Sequence, residues 1–191
     1  MPTAKIILAS ASPRRKELLE LLGFEFAIIA ADIDETRKEQ ETPQALVARL
    51  AAEKAQKVAQ PQSWVLGADT VVVVDNKILG KPAAKHEAVS MLQALSGRTH
   101  AVHTGFAVIK EDLRVVQCVS SLVTFRPLGA AEIDNYTSGA EPYDKAGGYA
   151  LQGAGAAFIS AISGSYTGVI GLPLSEVVAT LLALGAIQFS G

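Results

Sequence analysis

The run from Trp64 to Val74 constrains the fold more than any other part of the sequence. Its apolar residues occupy both sides of a pleat, as in a central strand covered on both faces. The other segments fit around such a strand. Ile6 to Ala9 is a short apolar run that reads as a second buried strand, and Phe24 to Ala30 as a third. Between them Ser12 and Pro13 form a cap-plus-proline helix start; the leucines at 18, 19, 21 and 22 supply an apolar face, and Gly23 a stop. Thr42-Pro43 opens a longer helix to about Ala59, striped by Leu46, Val47, Leu50, Ala51, Ala55 and Val58.

Beyond the central strand, Asp75-Asn76 makes a turn and a helix runs from about Lys85 to Ser96. Thr99 to Lys110 and Leu113 to Phe125 read as a long hairpin turning at Glu111-Asp112. Ala130 to Ser138 is a short helix. Glu141 to Gly171 is glycine-rich, with strand-like pieces at Tyr149 to Leu151 and Ala157 to Ile162, and Pro173 opens a last helix that ends at Gly185. Helices alternating with strands and hairpins define an α/β chain with a mixed sheet. With 191 residues, 49% of them apolar, one compact domain over 1–191 is expected.

The net charge of −2 excludes the global basic field on which non-specific binding to a nucleic-acid polymer relies, so any anion is held by a local site. The single Cys118 forms no internal disulfide and reads as a small core residue. No long apolar stretch suggests a membrane span or signal, and a cytoplasmic location is expected.

Chemistry concentrates in a few segments. Ser10-Ala11-Ser12-Pro13-Arg14-Arg15 is a strand end running into a helix start. Arginines in a first helical turn oppose the helix dipole by roughly a few tenths of a kcal/mol, unless an anion sits there. With an anion, free N–H groups, the hydroxyls of Ser10 and Ser12 and two guanidiniums make a phosphate cradle; without one, this is a capped surface helix with solvated arginines.

Asp69 lies inside the central apolar run, where a carboxylate requires a cation or hydrogen-bond donors. It either binds a divalent metal, activates water as a base, or caps a neighbouring turn. Lys54 lies near the stripe of Leu46 and Leu50, aimed along the edge of the core as a ligand group or a snorkelling lysine. Lys81 before Pro82, and Lys145 before Ala146-Gly147-Gly148, are cations on loops that let backbone approach a ligand, or are simply solvated. Asp34-Glu35 forms a second acidic pair, with Glu35 able to share a metal with Asp69, or is simply a solvated loop pair.

Other chemistries are set aside. The chain has no GxxxxGK[ST] loop, and Gly153-Ala-Gly155-Ala-Ala-Phe158 half matches the dinucleotide fingerprint. In Gly164-Ser-Tyr-Thr-Gly168 the serine stands one position too early for a nucleophile elbow. His100 and His103, three apart on a strand, point to opposite faces and do not share a metal.

The motif series resembles the Maf family of nucleotide pyrophosphatases. In order it runs Leu8-Ala-Ser-Ala-Ser-Pro-Arg-Arg15, Asp34-Glu35, Arg49-Leu-Ala-Ala-Glu-Lys-Ala55, Gly67-Ala-Asp-Thr70, Gly80-Lys-Pro82, Asp144-Lys-Ala-Gly-Gly-Tyr-Ala-Leu-Gln-Gly153 and Gly164-Ser-Tyr-Thr-Gly-Val-Ile-Gly-Leu-Pro-Leu174. The resemblance implies an elongated mixed sheet flanked by helices, as in inosine-triphosphate pyrophosphatases, with a cleft between two lobes. It also implies a homodimer, a divalent magnesium or manganese ion, and hydrolysis of a nucleoside triphosphate to monophosphate and pyrophosphate. Asp69 aligns with the family's proton acceptor, and Ser10, Arg14, Arg15, Glu35, Lys54 and Lys81 with its polar cleft residues.

Arg14, Thr70 and Gln152 match the branch acting on dTTP and UTP rather than the one acting on 7-methyl-GTP. The Gln152 amide both donates and accepts, which suits a uracil or thymine edge. Maf proteins are also associated with inhibition of septum formation, so a nucleotide-binding regulator is the alternative from another class.

Overall fold

The structure is a computed structural model and describes residues 6–188. Its strands are β1 (Ile6–Leu8), β2 (Phe26–Ile28), β3 (Trp64–Val74), β4 (Lys77–Leu79), β5 (Thr99–Lys110), β6 (Leu113–Phe125) and β7 (Ile159–Ser163). Its helices are α1 (Pro13–Glu20), α2 (Pro43–Lys57), α3 (Lys85–Leu95), α4 (Ala130–Thr137), α5 (Tyr166–Ile170) and α6 (Leu174–Ala183). The strands pair in the order β2-β1-β3-β5-β6-β7, with β4 on β3. β1 is parallel to β2 and β3, whereas β3–β4 and β6–β7 are antiparallel, so the sheet is mixed as expected. None of the described helices is long and apolar enough to cross a membrane.

The chain divides into two compact units, the first made of residues up to Asp69, Thr104–Val119 and those from Gly171 onward, the second of Thr70–His103 and Ser120–Ile170. In the first unit, Thr42 Oγ1 accepts a hydrogen bond from the Ala45 amide at 3.2 Å and starts α2 as predicted. The α2 stripe buries Leu46, Val47, Leu50, Ala51 and Ala55, and part of it packs in a cluster with Ile7, Val65, Ala107 and Ile109.

Two backbone contacts set how closely α2 lies on the sheet. A Cβ on Gly67 of β3 would stand 2.1 Å from the Ala51 carbonyl oxygen, and one on Gly105 of β5 2.3 Å from that of Val47. Glycine is the residue that admits this approach.

The second unit packs Phe125, Tyr136, Tyr149 and Phe158 edge to face, with His100 inside the cluster. The His100 Nε2 lies 2.7 Å from the Tyr149 hydroxyl, while Nδ1 is buried without a hydrogen-bond partner. Burial lowers the His100 pKa to about 4 from its ordinary 6.5. The unfolded chain then binds the proton more readily between those values, so stability is fully present above 6.5 and falls as pH drops toward 4. The expected loss is on the order of 3 kcal/mol. Urea unfolding from pH 7 to 4.5 measures it, and His100→Gln should flatten most of that slope.

Several predicted details are corrected. Ser12 occupies the N-cap position of α1 but its side chain makes no capping bond; its amide donates instead to Ser10 Oγ at 3.2 Å. Leu21 is 75% exposed because α1 stops at Glu20, which leaves it on the cap rather than on the stripe of Leu18 and Leu19. Cys118 is half-buried, since none of residues 113–120 in β6 is fully covered. Tyr149 to Leu151 is not a strand: Tyr149 is extended, Leu151 begins a turn, and the stretch joins two 3-10 segments, Ala146–Gly148 and Ala154–Phe158. The short helix α5 was not anticipated.

Candidate active site

In the first unit the strand order β2-β1-β3 makes the β1/β3 boundary a topological switch point, where open α/β sheets bind ligands at strand carboxyl ends. Ser10 stands there, just past β1 and buried, with its Oγ accepting from the Ser12 amide and, at 3.3 Å, from Arg15 Nη1. Arg15 Nε donates to the Gly171 carbonyl at 2.9 Å, which ties the late glycine-proline motif to the first one. Burial lowers the Arg15 pKa, Asp69 and Glu35 oppose that, and the charge of Arg14 adds to it. The predicted cradle therefore brings two guanidiniums and two acidic groups into one electrostatic neighbourhood.

The parallel register, with Leu8 opposite Leu66, carries the chain at Ser10 alongside Ala68 and Asp69. Asp69 is buried, at 8% exposure, and its partner is the equally buried Lys54, whose Nζ lies 2.6 Å from Oδ1. The same ammonium lies 2.6 Å from Glu35 Oε1. Of the alternatives left open by the sequence, Asp69 caps no turn and Lys54 does not snorkel to water: the two neutralise each other, and Gly67 allows it by letting α2 seat against β3. Asp34 is not part of this bridge; its Oδ1 accepts from the Thr36 amide at 2.9 Å and shapes the loop.

An anchor that the sequence reading missed holds Glu35 in place. Arg49 donates to both oxygens of Glu41, at 2.7 and 2.9 Å, to Glu53 at 2.9 Å and to the Thr36 carbonyl at 3.1 Å. The Arg49 hydrogen bonds hold the Glu41 pKa down to about 2. The 32–41 loop that carries Glu35 is thus fastened to the helix that carries Lys54. Glu41 at the end of the polar stretch and Arg49 at the start of the Arg49–Ala55 motif were the available signal.

The remaining predicted residues belong to the second unit. Thr70 is half-buried on β3, Lys81 is exposed after Gly80, and Gln152 is exposed before Gly153. The Gly147 amide donates to the Gly80 carbonyl at 3.0 Å, which joins the Lys81 and Lys145 loops. Lys145 Nζ is engaged by Asp144 Oδ1 at 2.5 Å and by the Glu141 carbonyl at 3.1 Å. His103 and His100 bond different partners, Ser120 and Tyr149, in keeping with opposite faces.

Among the described residues no group of three or more His, Cys, Asp or Glu side chains is placed to hold a metal. Glu35 and Asp69 instead offer two carboxylates around one ammonium. Carboxylate oxygens are the donors a hard divalent cation takes, and here the Lys54 ammonium stands 2.6 Å from one oxygen of each.

A mixed α/β sheet with paired acids and bases at a switch point is the framework of a protein that handles an anionic ligand. The chain belongs to the Maf-like protein family, whose model matches residues 5–184. A dTTP/UTP pyrophosphatase of Syntrophus aciditrophicus is 55% identical over 100% of this chain and 95% of its own. One of Desulfotalea psychrophila is 48% identical over 96% of both chains. Among solved structures, the Ham1 protein of Staphylococcus aureus covers 63% of this chain and 71% of its own at 14% identity, with a TM-score of 0.45.

Proposed function

We propose that the chain is a nucleoside triphosphate pyrophosphatase that hydrolyses dTTP and UTP to the monophosphate and pyrophosphate. The observation that carries the chemistry is the Asp69–Lys54–Glu35 bridge beside the Ser10–Arg15 pair. A protein that only bound phosphate has little use for a buried carboxylate there. The substrate rests on relatives named dTTP/UTP pyrophosphatase and on Arg14, Thr70 and Gln152. A homodimer acting on the cytoplasmic nucleotide pool completes the proposal.

Arg14 and Arg15 take the phosphate oxygens, Arg15 already held by Ser10 and the Gly171 carbonyl. Lys54, Lys81 and Lys145 add positive charge along the triphosphate, and Thr70 contacts the substrate beside Asp69. Lys54 engages Oδ1 of Asp69, so Oδ2 is assigned to the water. Asp69 orients that water and accepts its proton as the water oxygen bonds to the α-phosphorus, the α–β anhydride bond breaks and pyrophosphate departs. Glu35 and Asp69 would hold magnesium or manganese, which when bound neutralises charge on the phosphates. Gln152 donates to and accepts from the base edge.

The deciding assay measures pyrophosphate released from dTTP, UTP, CTP, GTP and 7-methyl-GTP, with magnesium or manganese and with EDTA. Turnover of dTTP and UTP that EDTA abolishes is expected. Preference for 7-methyl-GTP overturns the substrate assignment. UTP binding with no pyrophosphate under either metal overturns catalysis and favours the regulator.

A further inference from the structure

In the second unit the glycine-rich stretch folds around one carboxylate, that of Glu141, which opens the 3-10 segment Glu141–Asp144. Its oxygens accept hydrogen bonds from the Tyr136 hydroxyl at 3.0 Å, the Ala154 amide at 2.9 Å and the Gly155 amide at 3.1 Å. Its own carbonyl accepts from Lys145 Nζ at 3.1 Å. Gly153 is shaped to this side chain, since a Cβ there would stand 2.3 Å from Glu141 Oε1.

The consequence falls on Gln152. On its N-terminal side the chain is anchored by buried Tyr149, whose hydroxyl meets His100 Nε2. On its C-terminal side it is anchored by the amides of Ala154 and Gly155 on Glu141. Gln152 stands exposed between these two anchors. Tyr136, beneath the carboxylate, is buried, and burial together with Glu141 raises its pKa above the usual range, so its hydroxyl remains a donor.

We propose that Glu141 is a positioning residue for substrate selection: its carboxylate fixes the Gln152 loop in the geometry that distinguishes a uracil or thymine edge from cytosine. The inference rests on the dTTP/UTP reading. A carboxylate suits the task because it is acceptor-only and three donors converge on it. Glutamine has the same shape, but its NH2 must face at least one of those donors. Glu141→Gln therefore weakens the fixation without emptying the space.

The test compares steady-state hydrolysis of UTP and CTP. Glu141→Gln is expected to lower kcat/KM for UTP about tenfold, mainly through KM, and to shrink the UTP-over-CTP preference. Gly153→Ala, which displaces the same carboxylate, should do likewise and covers the case in which Glu141→Gln does not fold. Gln152→Ala should lose the preference by itself, and adding Glu141→Gln to it should cost no further preference. A merely structural role leaves the preference untouched in the single variants, or lowers it equally with and without Gln152; either result overturns the inference. A wild-type protein that releases no pyrophosphate from UTP overturns the functional reading itself, and is seen before any variant is made.

Discussion

Asp69→Asn should leave the protein folded and lower kcat for UTP by about 10²- to 10⁴-fold. Asparagine has nearly the same shape and keeps an oxygen for the Lys54 ammonium 2.6 Å away. What it loses is the charge and the ability to take a proton from water. One negative charge fewer beside Arg15, Lys54 and Glu35 favours phosphate binding, so with saturating metal KM should hold or fall while kcat collapses. Pyrophosphate release measures the turnover, and UTP titration by calorimetry measures the binding. If Asp69 served only to neutralise Lys54, the pattern would invert, with a lower melting temperature and an unchanged kcat. That inverted result is the one that removes Asp69 from catalysis.

How much of this was legible in the sequence depended on whether the cause was local. β3, β5 and β6 occur at the residues expected, 64–74, 99–110 and 113–125, because long apolar runs ended by turn residues leave little choice. The need of Asp69 for a partner also followed from the sequence, because burial of a carboxylate is costly wherever it happens. That the partner is Lys54 did not, since their meeting depends on α2 docking at Gly67. The 141–171 stretch was read least well. Its glycines removed the periodicity that marks a strand or helix, and its shape comes from Glu141 gathering amides at a distance of 13 and 14 residues. Arg49 and Glu41 were passed over for a related reason: each reads as a surface charge until the loop folds back onto α2.

Gly67→Ala and Gly105→Ala should be the most destabilising methyl additions in the first unit, each costing about 3 kcal/mol or more. The clashing atoms are backbone, the carbonyls of Ala51 and Val47 at 2.1 and 2.3 Å from the added carbon, so no rotamer change relieves them. Relief requires α2 to lift from the sheet, which opens the packing of Leu46, Val47, Leu50 and Ala51 as a group. Gly80→Ala is the control, because nothing lies within 4 Å of the added carbon, and its melting temperature should stay near wild type. The two clashing variants differ in what they do to chemistry if any folded protein is recovered. Gly67 lies two residues before Asp69, and Ala51 three before Lys54, so lifting α2 at that point separates the ammonium from the carboxylate it neutralises. Gly67→Ala should therefore lose UTP turnover in whatever fraction folds, whereas folded Gly105→Ala should retain more of it. Thermal unfolding with pyrophosphate release per folded molecule separates the two effects. Wild-type stability in Gly67→Ala would show that the approach of α2 to β3 does not set the Lys54–Asp69 bridge.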